Sequence, residues 1–248
     1  MRNRLLAWLR FFRIVNLPTV PGDVLAGAAA VFYMAGDGAL FPVVFAILAS
    51  CCTYLYGLAD NDIVGAKTDA DRPIPNGEIS LGAARAARGL CWGGTLVFGA
   101  VGNLPPAWWL LTLGLFAAIV VYNRTKNAWL MGACRGFNLL TGAAAVFACP
   151  DGGCGLRAWI FPGALAALWT LYIGGVTRYS EGEELDPHKR QTVGFLIGAL
   201  IYLQLAALVL FTLNAPRVPV FRPMLLTGAV MLVCLRLFRS CLPKVSAS

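Results

Sequence analysis

Residues 40–77 read LFPVVFAILASCCTYLYGLADNDIVGAKTDADRPIPNG, and the reading of that stretch decides the fold. Its first half is an apolar run of the length that crosses a hydrocarbon core, for which about 20 residues suffice. Its second half turns abruptly acidic, with Asp60, Asp62, Asp69 and Asp71 inside a dozen positions. A membrane helix that opens into a carboxylate-rich loop is the simplest arrangement that keeps both halves in a suitable solvent.

Working outward, further apolar segments lie near 18–36, 86–103, 105–122, 129–149, 158–178, 193–213 and 220–238, which with 40–60 makes eight spans. The chain of 248 residues is 58% apolar and 13% charged, whereas a soluble domain carries about 25% charged residues. No linker or low-complexity tract divides it, so residues 1–248 read as one domain. The expected fold is an all-α membrane protein, a bundle of about eight transmembrane helices.

Charge gives the orientation. Sixteen of the 20 Lys and Arg residues fall at the N-terminus, in the second, fourth and sixth loops and at the C-terminus; Arg157, Arg217 and Arg222 fall on the other side and Arg135 within a span. The positive-inside rule places both termini in the cytosol, as in a bacterial-type inner membrane. The net charge of +8 is thereby spread along one membrane face; it suits anionic lipid headgroups and gives no nucleic-acid stripe. The basic N-terminal stretch, without a cleavage site, is expected to lie on that face with Trp8, Phe11 and Phe12 at the lipid boundary. Trp108, Trp109, Trp129 and Trp159 sit near span ends, as interfacial belt residues do.

Nine of the 12 acidic residues lie in two loops on the basic side: Asp60, Asp62, Asp69, Asp71 and Glu78, then Glu181, Glu183, Glu184 and Asp186. The loops are four helices apart, and Tyr54-Leu-Tyr-Gly before the first echoes Tyr172-Ile-Gly-Gly before the second. An internal duplication of this kind brings both loops to one mouth, around a cavity between the halves. If the second helix continues past the interface, Asp62 and Asp69 stand two turns apart on one face, an arrangement that suits Mg²⁺ with substrate phosphates. Asn61 adds a neutral oxygen, Lys67 and Arg72 reach phosphate oxygens, and Pro73 to Gly77 turns the chain back toward a helix capped by Ser80.

Within the spans, Arg135 and Asn138 are one helical turn apart. A buried ionisable group in a membrane is a functional candidate; the alternative is an Arg paired with Asp23 of a neighbouring helix. His188 reads as a solvated loop residue. Most of the eight cysteines read as inert packing, with a disulfide open only to Cys149 and Cys154, which bracket a turn on the non-cytosolic side.

These motifs resemble the UbiA superfamily of intramembrane prenyltransferases, whose first signature is N-D-x-x-D-x-x-x-D followed by R-P-I/L-P-S/N-G. Asn61, Asp62, Asp69, Arg72, Pro73, Ile74, Pro75, Asn76 and Gly77 match it. Arg13-Ile-Val-Asn16-Leu-Pro matches in the first span, and Tyr122-Asn-Arg-Thr-Lys126 leads into Met131-Gly-Ala-Cys-Arg135-Gly-Phe-Asn138 in the fifth, which is similar to the EboC-like branch. The resemblance spans about residues 10–200. Members are all-helical, typically nine-spanning, with a cavity open to lipid.

The resemblance implies a Mg²⁺-dependent transfer of a prenyl group from a polyprenyl diphosphate to an aromatic or lipid-like acceptor. Catalysis falls by resemblance on Asp62, Asp69 and Glu183, and metal binding on these with Asp71, Glu181 and Glu184. Substrate binding falls on Asn16, Asn61, Lys67, Arg72, Tyr122, Lys126, Arg135 and Asn138. The chain departs from the pattern at Gly65, where the first motif has its middle Asp, and at Val176 and Tyr179, where the second motif D-x-x-D-x-E-G-D has two more. It also shows eight spans, not nine. These departures support an alternative, a non-catalytic member of the scaffold that binds or passes along an isoprenoid. A small-solute transporter fits less well, since the polar residues gather at one mouth.

Overall fold

The computed structural model describes residues 2–35, 39–67, 72–146, 159–182, 186–214 and 221–241. Nine α-helices run through them: α1 (Arg2–Phe11), α2 (Val20–Ala35), α3 (Leu40–Val64), α4 (Leu81–Val101), α5 (Pro106–Thr125), α6 (Ala128–Val146), α7 (Ile160–Ser180), α8 (Pro187–Asn214) and α9 (Phe221–Cys241). The described residues contain no strand. Helices α2 to α9 correspond to the eight apolar segments, and α1 is the short amphipathic stretch before them. By length and composition, five stretches are long and apolar enough to cross a membrane, among them Leu40–Lys67 and His188–Asn214. Their outward faces carry exposed leucines and phenylalanines such as Leu110, Leu171, Phe195 and Leu213. This is an integral membrane protein, because lipid is the solvent that leaves such faces unpenalised.

Helix α2 is the hub of the bundle. Ala26, Ala28, Ala29 and Ala30 are fully buried there, so neighbouring backbones approach as small residues in membrane helices allow. Between α2 and α6 the approach is closest: a Cβ on Gly27 would strike the Leu139 carbonyl, and one on Gly142 the Val24 backbone. The same seam continues from α6 to α7, where Gly132 lies against the Thr170 carbonyl. Membrane helices are thus locked where hydrophobicity gives no drive to associate.

At the basic end the elements terminate where side-chain chemistry dictates. Ser80 accepts a hydrogen bond from the Ala83 N–H at 3.2 Å and caps α4 as expected. The turn over 72–79 closes with Gly77 at φ 71°, a conformation glycine takes without steric cost. α3 does not run on as far as Asp69: it ends at Val64, Gly65 supplies its C-cap, and one 3-10 turn follows over Gly65–Lys67. The uninterrupted two-turn face from Asp62 to Asp69 is therefore corrected; residues 68–71 lie outside the described ones.

Two aromatic expectations also change. Phe11 is fully buried with Ala7 against Ala59, Ile79 and Ala84, so α1 is clasped between α3 and α4 instead of offering that ring to lipid. The Arg10 guanidinium pairs with Glu78 across the same contact. Trp108 is 2% exposed in the core beside Phe32 and Leu104, because Gly99 leaves room for its ring. Trp129, in contrast, is half exposed, as an interfacial residue is.

Candidate functional site

A cavity of about 240 Å³ opens among α2, α3, α5, α6, α7 and α8 and the 3-10 turn Ile14–Thr19. Part of its wall is aliphatic, with Leu115, Ile119, Ile173, Val176, Val193 and Ile197. The polar part carries Arg13, Asn16, Asn61, Tyr122, Arg135 and Asn138. No Asp or Glu stands among the described lining residues.

Arg13 reaches the wall through an unusual backbone. It stands at φ 40°, ψ 48° between α1 and the 3-10 turn, a left-handed conformation uncommon for a non-glycine residue. Its side chain has no hydrogen-bond acceptor among the described residues, and it lines the cavity together with Tyr54 and Tyr122. Lys126 ends α5 in the same left-handed region, at φ 54°, ψ 25°. From there its ammonium donates to Asn61 Oδ1 of the side-chain amide and sits over the Tyr122 ring, 5.7 Å from its centre.

Deeper in the bundle, Asp23 is wholly buried, accepts three hydrogen bonds and pairs with a guanidinium. Arg135 Nη1 lies 2.9 Å from Oδ2 as an ion pair, Asn138 Nδ2 (3.0 Å) donates to the same oxygen, and Trp169 Nε1 (3.0 Å) and Gln204 Nε2 (2.7 Å) donate to Oδ1. Four helices, α2, α6, α7 and α8, meet on that one carboxylate. Asn138 also donates to the Val20 carbonyl at 3.3 Å and accepts from Ser50 at 2.5 Å, so its amide is engaged with the protein on both sides. Arg135 donates its other terminal nitrogen to Thr19 Oγ1 at 2.7 Å. Arg135 pairs with Asp23, as the alternative reading has it, and its side chain also lines the cavity.

The structure distributes the other candidates unevenly. Asn16, Asn61, Tyr122, Arg135 and Asn138 come together on the cavity wall, while Lys67, Arg72, Lys126 and Glu181 do not line it. Asp62 is buried with Arg72 Nη1 at 2.5 Å. Asp60 holds Arg88 at 2.8 Å and Asn123 at 2.9 Å. Glu181 pairs with Arg178 at 3.1 Å on the surface, and Asp186 caps α8 through the His188 and Lys189 N–H groups. His188 is exposed. Asp69, Asp71, Glu183 and Glu184 lie outside the described residues, as do Cys149 and Cys154.

Among the described residues no three carboxylate, His or Cys side chains assemble as a metal site. Of the expected magnesium set the described residues include Asp62 and Glu181, and each already has a guanidinium on it. The described residues do not by themselves fit a magnesium ion.

No family model matches the sequence, and no curated protein matches it. The fold does have solved counterparts. Digeranylgeranylglyceryl phosphate synthase superposes at a TM-score of 0.56 with 14% identity, over 100% of this chain and 98% of that one. A UbiA homolog from Archaeoglobus fulgidus bound to DMAPP and Mg²⁺ superposes at 0.54 with 15% identity, over 94% and 87%. This is the UbiA fold. The same homolog bound to GPP and Mg²⁺ gives 0.54 at 16% identity over the same shares.

Within the UbiA fold, sequence reading missed Arg13 as a site residue, although it stands three positions before Asn16 in a motif already singled out. The signal it lacked is the backbone break at φ 40° that swings it inward. Trp169 and Gln204 were missed as well. Each is an unremarkable polar group in an apolar run, and only the packing of α7 and α8 on Asp23 shows their purpose.

Proposed function

We propose that the whole chain, as one domain, is an intramembrane prenyltransferase that moves a prenyl group from a polyprenyl diphosphate to an aromatic or lipid-like acceptor. The observation that carries this reading is a cavity in a UbiA fold lined by cationic and amide donors together with aliphatic side chains. In this reading Arg13 and Asn16 take the anionic headgroup, since a cation with no described acceptor in a low-dielectric wall gains most from an anion. Lys126, held by Asn61 and Tyr122, borders the same region.

When the C–O bond to the diphosphate breaks, the electron pair leaves with the phosphate, and these donors stabilise the growing charge. The aliphatic wall shields the allylic cation from water until the acceptor attacks it and loses a proton. Two of the structural neighbours are bound to Mg²⁺. A magnesium site in this chain would need Asp69, Asp71, Glu183 or Glu184 beside Asp62.

The basic end, where Arg10, Arg13, Arg72 and Arg88 gather, is proposed to face the cytosol of a bacterial-type inner membrane with both termini. Kinship with the EboC-like branch rests on residues 122–140 alone. A second reading, a non-catalytic isoprenoid carrier, is favoured by one specific observation: Asp23, Asp60, Asp62, Glu78 and Glu181 are each paired with an arginine. The test is binding of geranyl diphosphate to the purified protein in detergent, with and without Mg²⁺, beside Arg13→Gln and Asp62→Ala. Binding weakened by both substitutions, with Mg²⁺ needed only by the chain that keeps Asp62, supports the transferase. A folded protein that binds no prenyl diphosphate sinks it.

A further inference from the structure

Helix α8 turns Val193 and Ile197 to the cavity, and the opposite side of the same helix carries Tyr202. There Arg236 of α9, an exposed residue, donates from Nη2 to the Tyr202 hydroxyl at 2.5 Å. Tyr202 stands in the middle of α8, whereas Arg236 stands near the basic end of α9. An arginine at a span end ordinarily extends its stem toward water; this one turns inward, against a neighbouring span. An ionisable group held inside the hydrocarbon marks a functional site, and the question is which partner it awaits. Among the described residues Arg236 meets no acid: its hydrogen bond is to a neutral phenol. The guanidinium keeps further N–H donors, and the phenol, whose oxygen accepts from Arg236, keeps its own proton to donate. The site therefore consists of donors with one net positive charge, which selects an anion with two free oxygens over a neutral hydroxyl or a cation.

The surroundings decide which anion. Leu205 lies over Gly228, which seats α8 against α9. The groove so formed is flanked by exposed apolar side chains: Phe195, Val209 and Leu213 share the Tyr202 face of α8, and Leu226, Val230 and Val233 recur on one face of α9. From the Arg236–Tyr202 contact, Val209 and Leu213 on one helix and Val233 to Leu226 on the other run away from the basic ends, as two acyl chains run from a headgroup. We propose that Arg236 and Tyr202 hold the phosphate of an anionic phospholipid whose chains lie along these two tracks. Basic pockets between spans take anionic headgroups in this way. One free phosphate oxygen goes to the guanidinium and the other to the phenol O–H. A zwitterionic lipid brings an ammonium for which the site has no acceptor, so a lipid of net negative charge is preferred. The site is separate from the cavity and does not depend on the prenyltransferase reading.

The experiment titrates phosphatidylglycerol or phosphatidylcholine into the full chain in a neutral detergent and counts bound lipid by native mass spectrometry. Wild type should bind phosphatidylglycerol about tenfold more tightly than phosphatidylcholine. Arg236→Gln should remove that preference. Arg236→Lys keeps the charge but loses the planar fork, and should retain only part of it. Tyr202→Phe should weaken phosphatidylglycerol about threefold. Arg222→Gln, at the other end of α9, should change nothing, whereas a diffuse attraction to the positive chain as a whole would weaken with either arginine alike.

Both side chains are exposed, so every variant is expected to fold, and the unfolding midpoint without lipid should match wild type. Equal affinity of wild type for the two lipids, a preference that survives Arg236→Gln, or an equal loss in Arg222→Gln overturns the site. An oligomer that separates on Arg236→Gln in lipid-free detergent assigns the arginine to a second copy of the chain and overturns it as well.

Discussion

Asp23 and Asp62 are both buried aspartates facing one arginine, yet they belong to different kinds of site. Asp23 is fully enclosed by partners from three other helices, with Arg135 only 14% exposed. Asp62 sits at the end of α3 with Arg72, 22% exposed, reaching it from a turn. The first pair is part of the frame; the second is at a doorway, where water and ions compete for both partners. Burial alone does not separate them, and the number and origin of the donors does.

The widest gap between the two should appear in stability. Asp23→Ala leaves Arg135 buried without its carboxylate and the Trp169 N–H without its acceptor, and should cost about 3–5 kcal/mol, the usual loss when one member of a buried pair is removed. Asp62→Ala should cost less than half of that, and thermal unfolding in detergent of the two variants side by side measures the ratio. Equal losses would erase the distinction between frame and doorway.

The frame itself can be probed through the seam beside Asp23. Gly142→Ala drives a Cβ into the Val24 backbone and should cost about 1–3 kcal/mol. Gly175→Ala on α7, where no atom stands near the added carbon, should be neutral or slightly stabilising by its helix propensity. The doorway is sharpened by Arg72→Ala: with the guanidinium gone, Mg²⁺ affinity should rise about fivefold, the equivalent of about 1 kcal/mol, as read by calorimetry. The smallest effect belongs to Arg178→Ala, whose pair with Glu181 is solvent-exposed; a change above about 0.5 kcal/mol would be unexpected.

Much of the frame was legible because hydropathy and helix length are set by the bilayer, a solvent the sequence must answer at every turn. The eight apolar segments became α2 to α9, Ser80 became a cap, and the pairing of Arg135 with Asp23 was one of two readings already open. The doorway was less legible. Gly65 stops α3 one turn short of the supposed metal face, and a helix end is decided by a single cap, which periodicity does not see. Phe11 and Trp108 were placed at lipid because an aromatic near a span end looks the same whether a neighbouring helix covers it or not. The inward turn of Arg13 depends on one backbone angle, for which no pattern of residue types codes.

The contacts of Asp23 also set an order in time. Its partners are 115, 146 and 181 residues downstream, at Asn138, Trp169 and Gln204. A chain made from its N-terminus therefore places α2 in the membrane long before its carboxylate has partners, and the polar floor of the cavity closes only when α8 arrives. The arrival of α8 is in this way recorded at a residue of the first helical span, and a chain halted before Gln204 leaves that carboxylate one donor short.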